Sequence, residues 1–124
     1  MVWDNEKAVQ YLQLHVNGKS IGQCAAYTRR AIEAGGVVLS RHQYARDYGL
    51  SLMSVGFLEL GRDLNHYKAG DVVIFDGVNG SHPEGHMAMY DGTVWISDFK
   101  QRSFYPGAAF RNISYKTYRH LSVP

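Results

Sequence analysis

The sequence predicts an α+β fold in which N-terminal helices pack on an antiparallel β-sheet. In the first half of the chain, apolar residues recur at intervals of three and four up to about residue 48, which is the spacing of helices. From residue 71 onwards the pattern changes to short β-branched and aromatic runs, separated by turns that contain glycine. Helices followed by a meander of strands are typical of a two-layer α+β domain.

Three helices are predicted, over about residues 4–16, 20–34 and 41–48. The first follows Asp4, a good N-cap residue, and ends at an Asn-Gly pair. At the start of the second helix, Ser20 and Gln23 match the Ser-x-x-Gln capping box, in which two side chains satisfy backbone N–H groups at a helix start. Glycines are placed to stop the second helix and the third.

Four strands are predicted, over about residues 71–75, 85–90, 93–99 and 113–121. Asp91-Gly92 between the second and third strands is a typical two-residue hairpin turn. In a tight hairpin around this turn, residue 86 faces about residue 97, so Asp98 is one step from His86.

The bulk composition fits one compact domain over residues 1–124, and we expect a monomer. A mass of 14.0 kDa, 45% hydrophobic residues and 19% charged residues are ordinary for a globular protein. The net charge is only +2 and no long basic run occurs, which argues against a nucleic-acid partner. No apolar stretch reaches the ~18 residues of a membrane span. The first ten residues carry acids where a signal peptide is basic, so we expect no signal peptide and no membrane partner.

Cys24 is the single cysteine, so it cannot form an internal disulfide. It is a core residue, a metal ligand or a nucleophile. Its position in the first turn of a helix favours the thiolate, which is the reactive form. Free cysteines are nevertheless among the most often buried residues and usually have no chemical role.

His86 is the histidine best placed to act with a cysteine. It follows a glycine, which leaves room beside it, and opens an alternating apolar strand, so its side chain is presented at the edge of the sheet. Asp98, on the next strand, is the acid that could orient the imidazole in a nucleophile–base–orienter triad. Alone, Asp98 would be an ordinary solvated strand residue.

A metal site is a weaker alternative. His82 and His86 are four residues apart, but Pro83 and Gly85 prevent the helix that would align two such ligands. In this alternative, a zinc ion is bound by His82, His86 and Asp98. We expect no metal and no other cofactor.

The order of the motifs resembles the NlpC/P60 and CHAP group of papain-like cysteine amidases and peptidases. Cys24 opens a helix, and KAGDVVIF (68–75), GHMAMY (85–90) and TVWISDFKQ (93–101) follow. The resemblance covers about residues 20–101, and it implies a papain-like fold. It also implies that Cys24 is the nucleophile, His86 the general base and acid, and Asp98 the third catalytic residue.

Further residues are matched less closely. Gln23 is similar to the polar residue before the cysteine in CHAP sequences. A role of Gln23 in the oxyanion hole competes with its structural role in the capping box. The backbone N–H of Cys24 is the other oxyanion donor. Lys100 or Gln101 stands where a further amide is expected. The residues expected to line the substrate cleft, besides loop 77–85, are Tyr27, Trp95 and Phe99.

The resemblance implies hydrolysis of amide bonds in the stem peptides of bacterial peptidoglycan, without a cofactor. A bare domain of this size resembles the small peptidoglycan amidase effectors of type VI secretion, which act in the periplasm of a neighbouring bacterium. Such a toxin implies an immunity protein that plugs the cleft. The bond cleaved is either the D-Glu–diaminopimelate bond or the cross-bridge between stem peptides, and the sequence does not distinguish them.

Several other functions are compatible with the same sequence. A phage-type endolysin would look alike, and papain-like folds also include hydrolases and acyltransferases that act on proteins or lipids. A binding module without activity, in which Cys24 is a core residue, is the alternative outside enzymes.

Overall fold

The computed structural model describes residues 3–61 and 66–123. The helices in this part of the chain are α1 (Asn5–His15), α2 (Cys24–Ala34) and α3 (Gly49–Ser54). The strands are β1 (Phe57–Glu59), β2 (Val72–Phe75), β3 (His86–Tyr90), β4 (Trp95–Ile96) and β5 (Tyr115–His120). Single 3₁₀ turns cover Ala45–Asp47 and Ala108–Phe110.

The five strands form one antiparallel sheet in the order β1-β5-β2-β3-β4. Strand β2 is central and all four of its residues are buried. Helices α1 and α2 pack on each other, and α2 also packs on β3. The predicted α+β architecture, with N-terminal helices on an antiparallel sheet, is confirmed.

The two faces of the sheet bury different side chains. On β2, Val72 and Ile74 join the helices in one apolar cluster, whereas Val73 and Phe75 join a second cluster on the opposite face. This alternation follows from the two-residue period of a strand. The second cluster is rich in aromatic rings, and His86 belongs to its border, with its ring 5.8 Å from that of Phe110 and 6.4 Å from that of Phe75.

Helix α1 forms as predicted. The side chain of Asp4 accepts the backbone N–H of Lys7 at 3.1 Å, so one of the unpaired donors at the helix start is satisfied. Ala8, Val9 and Leu12 are buried against α2 and the sheet.

The predicted capping box before α2 is wrong. Gln23 is the N-cap residue, but its side chain makes no capping hydrogen bond, and the Ser20 hydroxyl accepts only the N–H of Gly22, at 3.4 Å. The carboxylate of Asp98 is the acceptor instead, since its Oδ2 receives the N–H groups of Ile21 at 2.8 Å and Gln23 at 3.0 Å. The buried carboxylate of Asp98, from a distant part of the chain, thus replaces the exposed hydroxyl of Ser20 as the acceptor of these N–H groups.

The prediction of a helix over residues 41–48 is also wrong. Only a 3₁₀ turn forms there, and α3 begins at Gly49, which was expected to stop a helix. The phenol of Tyr48 is buried and bonds back to the main chain of His42, which folds this segment on itself. A Cβ on Gly49 would lie 2.7 Å from the hydroxyl of Tyr118, so this glycine provides room for packing. The three-residue strand β1 was not predicted.

The hairpin between β3 and β4 has a longer loop than predicted. Asp91 Oδ1 accepts the N–H groups of Thr93 at 2.8 Å and Val94 at 2.7 Å, and Asp91 N–H donates to Val94 O at 2.9 Å. Tyr90 therefore pairs with Trp95. The predicted two-residue turn would pair it with residue 93, so the real register is shifted by two positions.

Candidate active site

Cys24 and His86 line one cavity of about 420 Å³. Each is the first residue of its element, Cys24 of α2 and His86 of β3. The hydroxyl of Thr28 lies 2.8 Å from the carbonyl of Cys24 and 3.3 Å from that of Met87, which fixes the first turn of α2 against the start of β3. The predicted nucleophile and base are thereby brought to one site.

Gly85 is required for the approach of His86 to this site. Its φ of +77° lies in the left-handed region, and a Cβ there would collide with the carbonyl oxygen of Phe75 and contact Arg46. The glycine before the histidine was predicted to leave room for it, and the structure places the opposing strand at that point.

Gln101 is the hydrogen-bond partner of His86. Its Oε1 lies 2.7 Å from Nε2 of the imidazole, and the side chains of both residues are buried. The Nε2 amide group of Gln101 donates to the carbonyls of Ser103 at 3.1 Å and Phe104 at 3.2 Å. Because both donors of the amide are used in this way, its oxygen faces His86 as an acceptor.

This arrangement sets the tautomer of the imidazole. An amide oxygen accepts but does not donate, so the proton of neutral His86 is on Nε2 and the lone pair is on Nδ1. Nδ1 is then the nitrogen that is able to accept a proton in the cavity. A hydrogen bond on the far nitrogen also holds the plane of the ring, as the third residue of a catalytic triad does.

Asp98 does not make the predicted hydrogen bond to His86. Its side chain is fully buried, and its carboxylate accepts the N–H groups of Ile21 and Gln23 and the hydroxyl of Ser97. Its main-chain carbonyl accepts the N–H of Asn17 at 2.9 Å and the Asn17 side-chain amide at 3.0 Å. Asp98 therefore anchors the loop that leads into Cys24. It still acts on His86 through its charge, which favours the imidazolium.

Burial keeps both candidate catalytic groups neutral. It raises the pKa of the Cys24 thiol to about 11, and the negative charge of Asp98 adds to the rise, although the N–H groups of Met87 and Ala25 oppose it. Burial also lowers the pKa of His86 to about 4, against the opposing effects of the Gln101 hydrogen bond and the Asp98 charge. The expectation that the helix N-terminus favours the thiolate is thus outweighed by desolvation.

The fold is similar to that of a solved type VI effector. A chain in the crystal structure of the type VI effector–immunity complex Tae3-Tai3 from Ralstonia pickettii is 45% identical, with a TM-score of 0.88, and the match covers 95% of this chain and 99% of that chain. The selenomethionine form of the complex gives 46% identity and a TM-score of 0.84, over 91% and 99%. The chain belongs to the Tae3 family of type VI effectors.

The other comparisons add less. The crystal structure of Ly7917 matches with a TM-score of 0.54 and 16% identity, over 91% of this chain and 61% of that chain, which is a likeness of fold only. No protein-family model and no curated protein matches. Membership of the NlpC/P60 and CHAP group stays a prediction for this member of the Tae3 family.

The residues predicted to line the cleft are divided by the structure. Phe99 lines the cavity with Cys24, and loop 77–85 contributes His82, Glu84 and Gly85 to it. Trp95 does not line this cavity, since it lies within the second apolar cluster, where it packs on Tyr67 and Phe104. Tyr27 packs against the helix-side core and accepts the side-chain amide of Asn17 at 3.1 Å. Gln23 is exposed beside the cavity mouth and does not line its wall.

The zinc alternative finds no support in the geometry. Among residues 3–61 and 66–123, no group of three or more His, Cys, Asp or Glu side chains is arranged to hold a metal ion. His82 pairs instead with Glu84, at 3.6 Å.

No helix in the described part of this Tae3-family chain has the length and apolar character needed to cross a membrane.

Gln101 is the residue to which the sequence assigned no firm role. It stands at the end of TVWISDFKQ, where a further amide was expected, but the assumed two-residue turn directed attention to Asp98. Asp91 signals a longer turn, because its side chain can accept nearby N–H groups. No local pattern signals the reversal after β4 that brings Gln101 to His86.

Proposed function

We propose that this protein is a peptidoglycan amidase that hydrolyses amide bonds in stem peptides through Cys24, and that it acts as an antibacterial effector. The observation that carries the proposal is the cavity in which Cys24 and the oriented imidazole of His86 meet, in a chain that belongs to the Tae3 family. The same observation supports a papain-like arrangement, in which a helix-borne cysteine faces a histidine on the sheet.

Catalysis begins with a neutral thiol and a neutral imidazole. As the sulfur of Cys24 attacks the carbonyl carbon of the scissile amide, Nδ1 of His86 takes the thiol proton. The imidazolium so formed is stabilised by its Nε2–H bond to Gln101 and by the nearby charge of Asp98. Because the proton moves during the attack, no thiolate has to accumulate in the free enzyme.

The developing oxyanion needs donors close to Cys24. The backbone N–H of Cys24 is at the first position of α2, where helical N–H groups lack acceptors within the helix and carry partial positive charge. The exposed amide of Gln23 is a second donor that a bound substrate could recruit. These are the two oxyanion donors that we propose.

The intermediate breaks down by ordinary acyl transfer. The imidazolium of His86 gives its proton to the departing amine, and the C–N bond breaks, leaving a thioester on Cys24. His86, neutral again, takes a proton from a water that attacks the thioester carbonyl. The C–S bond then breaks, the sulfur regains the proton, and the carboxylic acid product leaves.

The biological setting follows from the family. Tae3 is known in the compared structures as the effector of an effector–immunity complex. We infer that this chain is secreted into the periplasm of a target bacterium, where peptidoglycan lies, and that a cognate immunity protein covers the cavity of Cys24.

Digestion of purified Gram-negative peptidoglycan tests the proposal. Wild-type protein, Cys24→Ala and His86→Ala are incubated with it, and the soluble products are separated by chromatography and identified by mass spectrometry. His15→Gln is the matched control, because His15 is an exposed histidine on α1. We expect new stem-peptide ends from the wild type and the control only, and their masses identify the bond.

Two outcomes would contradict the proposal. Equal products from Cys24→Ala and the wild type would mean that Cys24 is not the nucleophile. No products from any folded protein would exclude peptidoglycan as the substrate and favour a protein- or lipid-directed hydrolase or acyltransferase.

A further inference from the structure

A second cavity of about 430 Å³ adjoins the cavity of Cys24 and His86. The two cavities share a wall, since the same residues line both: Ser20, Phe99, Pro106, Gly107 and Ala108. A substrate bound at Cys24 can therefore extend into the second cavity without leaving the protein surface.

The second cavity is lined by cations and by no acid. Lys19, Lys100, Arg102 and Arg111 contribute to its wall, which contains neither aspartate nor glutamate, and all four side chains are exposed. The ion pairs found among the described residues involve none of the four. The whole chain has 13 basic and 11 acidic residues, so an acid-free group of four is a local concentration of positive charge.

The basic residues are fixed to the catalytic machinery by the chain itself. Lys100 and Arg102 flank Gln101 in the chain, and both are exposed, whereas the side chain of Gln101 is buried against His86. The guanidinium of Arg111 lies over the ring of Tyr105, 5.6 Å from its centroid, and both residues line the cavity. The position of the positive charge is therefore set relative to Cys24.

We propose that this second cavity is a carboxylate-binding subsite, which recognises a free carboxylate on the peptide next to the scissile amide. The proposal rests on the proposed function and names the substrate class of that site: an acidic peptide. Arginine and lysine are the residues that bind carboxylates, arginine in two-point contacts. A merely solvated basic surface would also be exposed, but it would not be concave, acid-free and continuous with the catalytic cavity.

Binding to an inactive protein tests the subsite apart from catalysis. Titration calorimetry with Cys24→Ala compares a synthetic stem peptide that has free carboxylates with the same peptide in which they are primary amides. We expect the acidic peptide to bind about tenfold more tightly, since each exposed ion contact contributes roughly 1.4- to 5-fold to affinity.

A matched pair of double variants, both in the Cys24→Ala background, locates the effect. Lys100→Gln with Arg102→Gln should remove the preference for the acidic peptide. Arg30→Gln with Arg41→Gln removes the same amount of charge from exposed positions outside both cavities. This second variant should keep the preference for the acidic peptide. Thermal melting of each variant confirms that it is folded.

The outcomes separate this proposal from the proposed function. Equal binding of the two peptides, no binding of either, or an equal loss in both double variants would overturn the subsite. Cleavage of both peptides by the wild type without any difference in binding would leave the amidase intact and overturn the subsite alone. Preferential binding of the acidic peptide without its cleavage would support the subsite and contradict the amidase.

Discussion

Gln101 holds His86 through a hydrogen bond of 2.7 Å from Nε2 of the imidazole to Oε1 of the amide. Two main-chain carbonyls, of Ser103 and Phe104, fix the amide so that its oxygen faces the ring. The orientation of the proposed base therefore depends on a side chain from the segment after β4.

Removing this amide should reduce turnover more than binding. In Gln101→Ala, His86 can rotate and adopt the other tautomer, so we expect kcat to fall by about 10- to 100-fold, less than the roughly 10²- to 10⁴-fold of general acid–base catalysis as a whole, with KM nearly unchanged. Steady-state kinetics on peptidoglycan fragments measure both. If kcat stays at the wild-type value, Gln101 has no positioning role.

Replacing the amide by a carboxylate should change the pH dependence. In Gln101→Glu, a negative charge next to Nε2 favours the imidazolium, so the pKa of His86 rises and the acid limb of the kcat/KM profile moves to higher pH. The profile of Gln101→Ala lacks that charge and is the comparison. An unmoved acid limb in Gln101→Glu would mean that His86 is not the group that the limb reports.

Replacing Asp98 should loosen the loop before Cys24. In Asp98→Asn, the amide oxygen can occupy the place of Oδ2, but the N–H groups of Ile21 and Gln23 then donate to a neutral acceptor in place of a charged one, so stability falls by about 1–2 kcal/mol. Removing the charge also lowers the pKa of Cys24, which shifts the pH profile of thiol alkylation to lower pH. Denaturant unfolding and alkylation rates measure the two effects, and wild-type values for both would contradict the anchoring role.

Stability should depend on the buried neutral imidazole of His86. Its pKa is lowered from 6.5 to about 4 in the folded protein. Between pH 6.5 and pH 4, the unfolded chain therefore binds a proton on this imidazole more readily than the folded protein does. Stability is therefore lost as the pH falls from 6.5 to 4, by about 3 kcal/mol for this group. Urea unfolding at pH 4–7 measures it, and His86→Gln should show a smaller slope; an equal slope in this variant would assign the effect to other groups.

Two aromatic residues that were expected to line the cleft should behave differently. Phe99 lines the cavity of Cys24, whereas Trp95 packs inside the second apolar cluster and does not line that cavity. Phe99→Ala should raise KM several-fold, whereas Trp95→Phe, which keeps an aromatic ring in the second cluster, should leave kcat/KM unchanged. A loss of activity in a fully folded Trp95→Phe protein would contradict this assignment.

Much of the fold follows from local patterns, and the errors have a common physical cause. Helix α1, strand β2 and the start of β3 at His86 are predictable, because spacing, capping and the glycine before the histidine all act within a few residues. The capping box before α2 fails because Asp98, 75 positions from Gln23, is a better acceptor. No local pattern shows that contact.

The candidate site shows the same limit. Cys24 and His86 could be selected from their positions at the starts of elements, but the partner of His86 depends on the register of one hairpin. Asp91 lengthens its turn by accepting two N–H groups, which shifts the register by two positions. The chain then folds back after β4, where Ile96 bridges Lys100 and the N–H of Gln101 donates to the carbonyl of Trp95, and this reversal places Gln101 next to His86.

The contact between Asp98 and the loop before Cys24 has a consequence for the synthesis of the protein. Cys24 leaves the ribosome early, but the carboxylate that anchors its loop and the amide that orients His86 are encoded at positions 98 and 101 of 124. A nascent chain that ends before residue 98 therefore lacks both supports of the site, and one that ends before residue 101 lacks the amide. The two supports can therefore hold the site only after residue 101 has been translated.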